Sequence, residues 1–190
     1  RIGQDEMAVV APAQPSIATA PSADLVLGGT LSDTATVSGL VNPVTGANKI
    51  QFIAYGPDDA NCTNTPVAFD SGNINLTLTG GPPATGGTAS ASFTPTNAGT
   101  YRWRAVYKGD TNDNPVSGRC SRIGQDEMAV VAPAQPSIET AASAAIVLGG
   151  TLSSTATVGG LGHPVPGANK CTFIAYGTCH VAADTPPAAA

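Results

Sequence analysis

The sequence predicts an all-β protein made of β-sandwich repeats in tandem, and three observations carry that reading. Charged residues are only 11% of the 190, against 22 Gly and 16 Pro, a composition poor in helix formers and rich in turn formers. Apolar and polar residues alternate over short runs, the period-2 signature of strands with one buried face. The stretch RIGQDEMAVVAPAQPSI occurs twice, at Arg1–Ile17 and letter for letter at Arg122–Ile138. A long fixed period marks one structural unit per repeat.

Likeness between the copies continues past the identical stretch. LVLGGTLSDTATVSGL from Leu25 returns as IVLGGTLSSTATVGGL from Ile146, and NKIQFIAYG from Asn48 as NKCTFIAYG from Asn169. The predicted division is therefore residues 1–12 as the closing strand of a preceding unit, 13–132 as a complete unit, and 133–190 as an incomplete following one.

The elements are read in order. EMAVV forms a strand before the Pro-broken connection APAQP. PSIAT and LVL give a broken first strand, punctuated by Pro21 and the Gly28-Gly29 pair. TLSDTATV alternates and sets Leu31, Ala35 and Val37 on the buried face, with small hydroxylated residues opposite. KIQFIAY turns Ile50, Phe52 and Ala54 inward, and the polar PDDANCTNT reads as a loop. VAFD and NINLTLT resume the alternation with Ile74, Leu76 and Leu78 inside. GGPPATGG, residues 80–87, reads as an exposed, mobile loop, because its prolines lack an amide donor and its glycines lose most entropy on ordering. TASASFT turns in Ala89, Ala91 and Phe93. TYRWRAVY turns in Tyr101, Trp103, Ala105 and Tyr107, with Arg102 and Arg104 toward solvent. Seven or eight short strands separated by turn signals are the footprint of a sandwich. Phe52 and Trp103 anchor its core, each contributing roughly 2 to 3 kcal/mol by burial.

Several functions are excluded by composition. A net charge of −5 without a basic run does not suit a nucleic-acid partner, and no apolar run reaches the roughly 20 residues of a membrane span. The chain opens on Arg1 with no leader sequence, so export is expected to depend on a leader outside this stretch. No hydrolase elbow G-x-S-x-G is present, and both histidines, His163 and His180, fall in the incomplete unit. A serine triad in the complete unit is thus excluded by inventory, and no cofactor is expected.

NAGTYRWRAVYKGDTNDNPVSG, Asn97 to Gly118, resembles a signature of bacterial immunoglobulin-like repeats found in tandem on surface and secreted proteins. Gly99, Thr100 and Tyr101 match the turn that opens the penultimate strand of those repeats, and Tyr107, Gly109 and Asp110 the element that closes it. The resemblance extends over TLSDTATVSG and IQFIAYGP. It implies an immunoglobulin-like sandwich in which Tyr101 is the corner tyrosine. It also implies that Cys62 and Cys120 form a disulfide, which points to an oxidising compartment and an extracellular or cell-surface location.

The remaining candidate ligands are weaker. Cys179-His180 lacks the C-x-x-C-H spacing of haem attachment, and Cys171, Cys179, His180 and His163 follow no recognised zinc spacing. Cys171 reads as a buried small thiol in place of Ile50, and Cys179 as an exposed loop thiol. Asp110, Asn112 and Asp113 in GDTNDN offer oxygens to calcium but lack the register of an EF-hand, and such Asx-rich runs are commonly turns. The expected function is non-enzymatic: a structural module of an extracellular stalk or fibre whose partners are neighbouring repeats or copies of itself. The alternative is an adhesin that binds a surface ligand through residues 80–87 or the turn near Asp110.

Overall fold

The computed structural model describes residues 8–120, 127–168 and 170–177. The described residues form an all-β chain of two compact units, one holding the first eleven strands and the other the last two. Among the described residues no helix is long and apolar enough to cross a membrane.

In the first unit, β1 (Ser16–Pro21), β3 (Leu31–Ser38), β8 (Gly86–Phe93) and β7 (Thr77–Thr79) make one sheet, in the order β1-β3-β8-β7. The second sheet has the order β2-β11-β9-β4-β5, from β2 (Leu25–Val26), β11 (Met128–Ala132), β9 (Gly99–Tyr107), β4 (Lys49–Tyr55) and β5 (Phe69–Asp70). β6 (Ile74–Asn75) pairs with β4, and β10 (Val116–Ser117) with β9. The broken first strand thus contributes to both sheets: β1 lies antiparallel to β3, and β2 lies parallel to β11. Pro21 and the residues after it carry the chain across.

Alternation sets the core. Leu31, Ala35 and Val37 of β3 face Phe52, Ala54, Tyr101, Trp103, Ala105 and Tyr107 of β4 and β9, all buried, in one sandwich-like cluster. Trp103 is its centre, with edge contacts to Phe52 at 6.5 Å, Phe69 at 5.9 Å and Phe93 at 5.6 Å between ring centroids. Such edge-to-face pairs add to plain area burial, so four aromatic rings from four strands fix the two sheets on one another.

Two expectations are corrected. Residues 80–87 are not wholly a loop: Gly86 and Gly87 open β8 and pair with Ser38 and Val37 on one side and with Thr79 and Leu78 on the other. Their lack of a side chain is what permits this, because a Cβ on Gly87 would come within 2.7 Å of the Leu76 side chain, and one on Gly86 within 2.8 Å of the Val37 carbonyl. NINLTLT is likewise two strands rather than one, since β6 belongs to one sheet and β7 to the other.

The two copies of EMAVV differ. Met128–Ala132 is a strand between β9 and β2. Residues 8–12 of the first copy form no strand, and residues 1–7 lie outside the described residues. In the second unit, β12 (Ser137–Ala142) pairs with β13 (Ser154–Gly159) in a register that runs from Ser137↔Gly159 to Ala142↔Ser154. This is the register of β1 on β3, Ser16↔Ser38 to Pro21↔Asp33, displaced by the sequence offset.

Candidate functional site

The disulfide joins Cys62 and Cys120 with a Cα–Cα distance of 6.2 Å. Cys62 sits in a turn organised by Asp59, whose carboxylate accepts from the amides of Thr63 and Asn64 at 2.8 Å and of Asn61 at 3.2 Å. These amides, that of Asn64 foremost, hold its pKa below the usual carboxylate value by favouring the charged form. The neighbouring Asp58 accepts from Thr100 N at 2.9 Å, and Arg102 donates to the Asp59 carbonyl at 3.2 Å. The loop after β4 is thereby tied to the start of β9 by polar bonds, and by sulfur to the segment that follows β10. A disulfide persists in an oxidising compartment.

Asp110, Asn112 and Asp113 do come together, and they are engaged with the chain itself. Asp110 accepts from the amides of Asn112 at 2.7 Å, Asp113 at 2.9 Å and Val44 at 2.7 Å. Asn112 donates to the Asn42 carbonyl at 2.7 Å, and Asp113 accepts from Val41 N at 2.8 Å. The turn therefore clamps residues 41–44. Its residues also reach the entry to β1, where Ala13 donates to the Asn112 carbonyl at 2.7 Å and accepts from Asn114 N at 2.9 Å. Calcium needs six to eight oxygens, whereas the oxygens of Asp110 already serve three amides. Among the described residues no group of three or more His, Cys, Asp or Glu is placed to hold a metal ion.

Tyr101 begins β9 and donates its hydroxyl to the Asn97 carbonyl at 2.9 Å, four residues upstream. Burial, the largest cause, raises its pKa. Tyr107 at the far end of β9 donates to Asn48 Oδ1 at 2.5 Å, and Asn48 donates in turn to the Val44 carbonyl at 2.7 Å. Burial again, helped by the charges of Asp110 and Asp113, keeps the Tyr107 phenol protonated.

Sequence reasoning missed Asp33. It lies on the inner face of β3 between Leu31 and Ala35, is 0% exposed, and neither carboxylate oxygen has a hydrogen-bond partner. Desolvation, and then the charge of Glu127, raise its pKa to about 7, while the amides of Thr34 and Ala20 pull weakly the other way without closing a bond. Glu127 leads into β11, where its carbonyl accepts from Trp103 N at 2.8 Å. Its Oε2 and the Trp103 Nε1 are also buried without partners. The signal was present in the alternation itself, which places residue 33 with residues 31, 35 and 37.

Of the other candidates, Cys171 is an exposed free thiol rather than a buried one, because the strands that bury Ile50 in the first unit have no described equivalents around it. Cys179 and His180 lie outside the described residues. His163 lies in a turn with φ of 44°. The polar side chains that the fold gathers are thus ones that hold loops and strand ends in place. No protein-family model, no curated protein and no solved structure matches this chain.

Proposed function

We propose that this chain is a non-enzymatic structural module of an extracellular or cell-surface stalk or fibre, in which immunoglobulin-like sandwiches follow one another in series. One observation carries the reading. The same seventeen residues recur without a single change at Arg1–Ile17 and Arg122–Ile138, and the hairpin that follows the second copy repeats the register of the hairpin that follows the first. A junction kept identical presents the same contacts at every step of an array.

The strand order supports the immunoglobulin-like assignment. Sheets β1-β3-β8-β7 and β2-β11-β9-β4-β5 correspond to strands A, B, E and D facing A′, G, F, C and C′. The Tyr101 hydroxyl bonded upstream to Asn97 matches the tyrosine corner of such sandwiches. The Cys62–Cys120 staple joins the loop after β4 to the segment after β10, and the Asp110 turn after β9 clamps residues 41–44, which suits a load-bearing unit. The linker Ala11–Pro15 spans only about 3.3 Å per residue when extended, so successive sandwiches stay close.

Small-angle scattering of chains holding one, two and four units tests the proposal. A maximum dimension that rises by a constant step per unit supports a stalk, and a compact particle contradicts it. Screening the first unit against a glycan array addresses the adhesin alternative: saturable binding abolished by changes in residues 80–85 would favour that reading instead.

A further inference from the structure

We propose that Asp33 is a proton-operated latch on β11: while its carboxyl is neutral the two sheets close over Glu127, and when it ionises β11 and β2 lift from the sandwich. The strand that runs into the linker at Pro133 is then held or released by pH.

Three orphaned polar groups meet between the sheets of the first unit. Asp33 comes from β3, an inner strand of one sheet, with both oxygens buried and unpartnered. Glu127 and Trp103 come from the other sheet, where Trp103 N donates to the Glu127 carbonyl at 2.8 Å. The β11–β9 register sets Met128 opposite Arg102 and Ala129 opposite Tyr101. Continued by one residue, it sets Glu127 opposite Trp103 and gives it the inward face of Ala129 and Val131. Glu127 Oε2 and Trp103 Nε1 are buried without partners as well. One N–H cannot compensate two carboxylates, so with both acids charged a negative charge is left bare in an apolar surround. A proton on Asp33 removes that charge and turns an acceptor into a donor. This is the physical content of a pKa raised to about 7 by desolvation and then by the charge of Glu127.

Among the described residues packed around the pair, no cation faces inward. β1 and β8 carry no titratable side chain, and β4 presents Phe52 and Ala54. On β9, Arg102 and Arg104 alternate with the buried residues and so point outward, Arg102 to the Asp59 carbonyl. The Tyr101 hydroxyl is bonded to the Asn97 carbonyl, and Asp24 beside β2 accepts from Val130 N at 2.7 Å.

The ladders decide where the sandwich opens. β3 is paired along both sides, from Ser16↔Ser38 to Pro21↔Asp33 with β1 and from Leu31↔Phe93 to Ser38↔Gly86 with β8. β11 meets β9 only from Met128 to Val131, and β2 only at Val131 and Ala132. Lifting β11 and β2 therefore brings water to both carboxylates at the smallest loss of hydrogen bonds. The latch belongs to the first unit, since Ser154, which carries no charge at any pH, stands where Asp33 does in the second.

Hydrogen exchange of the 190-residue chain, read by mass spectrometry at about pH 5 and about pH 8 and corrected for intrinsic rates, tests this. Peptides covering Met128–Ala132 are expected to lose at least about tenfold in protection at the higher pH. There they are expected to exchange at least about tenfold faster than peptides covering Leu31–Ser38 and Lys49–Tyr55, and to respond little to dilute urea, because lifting one edge exposes little surface. Asp33→Asn is expected to abolish the pH step. Glu127→Gln is expected to shrink it and to bring its upper end to lower pH, since a like charge no longer holds the proton on Asp33. β11 exchanging no faster than β3 at the higher pH, a step that survives Asp33→Asn, or a step indifferent to Glu127→Gln would each overturn the proposal. Should Asp33→Asn fail to fold, the response to Glu127→Gln decides alone.

Discussion

Asp33 is the residue on which the chemistry of the first unit turns. A carboxyl buried without partners favours its neutral form, and the negative charge of Glu127 pushes the same way. Its pKa in the fold, about 7 against an ordinary 3.8, fixes the sign of the linkage. Stability is fully present while the group is protonated and is lost as pH climbs from about 4 through 7. Urea denaturation at pH 5 and pH 8 is expected to show the unit less stable at the higher pH by on the order of 2 to 4 kcal/mol. Asp33→Asn keeps the shape without the charge, so it is expected to flatten that dependence. Asp59 and Asp70, whose values are depressed by hydrogen bonds from Asn64 and Gln51 respectively, act with the opposite sign and only below the ordinary carboxylate range. Tyr101→Phe tests the corner bond to Asn97. Its loss is expected to lower stability by about 1 kcal/mol in the same denaturation measurement. Asp33 was legible in principle, since period-2 alternation fixes the face of every residue in β3. Reading the face as apolar and passing over its one acid is what hid it.

At the scale of elements, the inward sets of β3, β4, β8 and β9 were legible because each strand has one wet face and one dry one. What periodicity cannot supply is the partner. Nothing in PSIAT and LVL says that the strand changes sheets at Pro21, or that NINLTLT divides at Leu76. The pairing of Gly86 and Gly87 was hidden for a related reason: glycine's entropy argues for a loop, and close approach to Leu76 and Val37 overrides it. Gly87→Val is accordingly expected to destabilise the unit by about 1 to 3 kcal/mol, the cost of overpacking. Gly81→Ala meets no atom within 4 Å but keeps a φ of +82°, and is expected to cost only about 1 kcal/mol; thermal melts of the two variants make the comparison. The Cys62–Cys120 link came from resemblance rather than from spacing, and the structure bears it out. Closing a loop over a separation of 58 residues stabilises by about 4 kcal/mol on a chain-entropy estimate. Replacing both cysteines by Ala is expected to lower the denaturation midpoint correspondingly, and to make it insensitive to added reductant.

For the whole molecule, recurrence at a fixed offset is the strongest fact in the chain. It was visible as text before any strand was assigned, and the structure adds that the hairpin register recurs with it. The side chains considered for metal or ligand binding prove to be bonded within the fold at Asp110, Asn112 and Asp113. The first unit is held together by an aromatic centre around Trp103, by the Cys62–Cys120 link and by the carboxylate clamp of Asp110 after β9. The measurement that bears most directly on this account is the maximum dimension of chains of one, two and four units in solution. Equal increments with each added unit are the expected result. Growth with roughly the cube root of chain length, as units collapsing on one another would give, would contradict it.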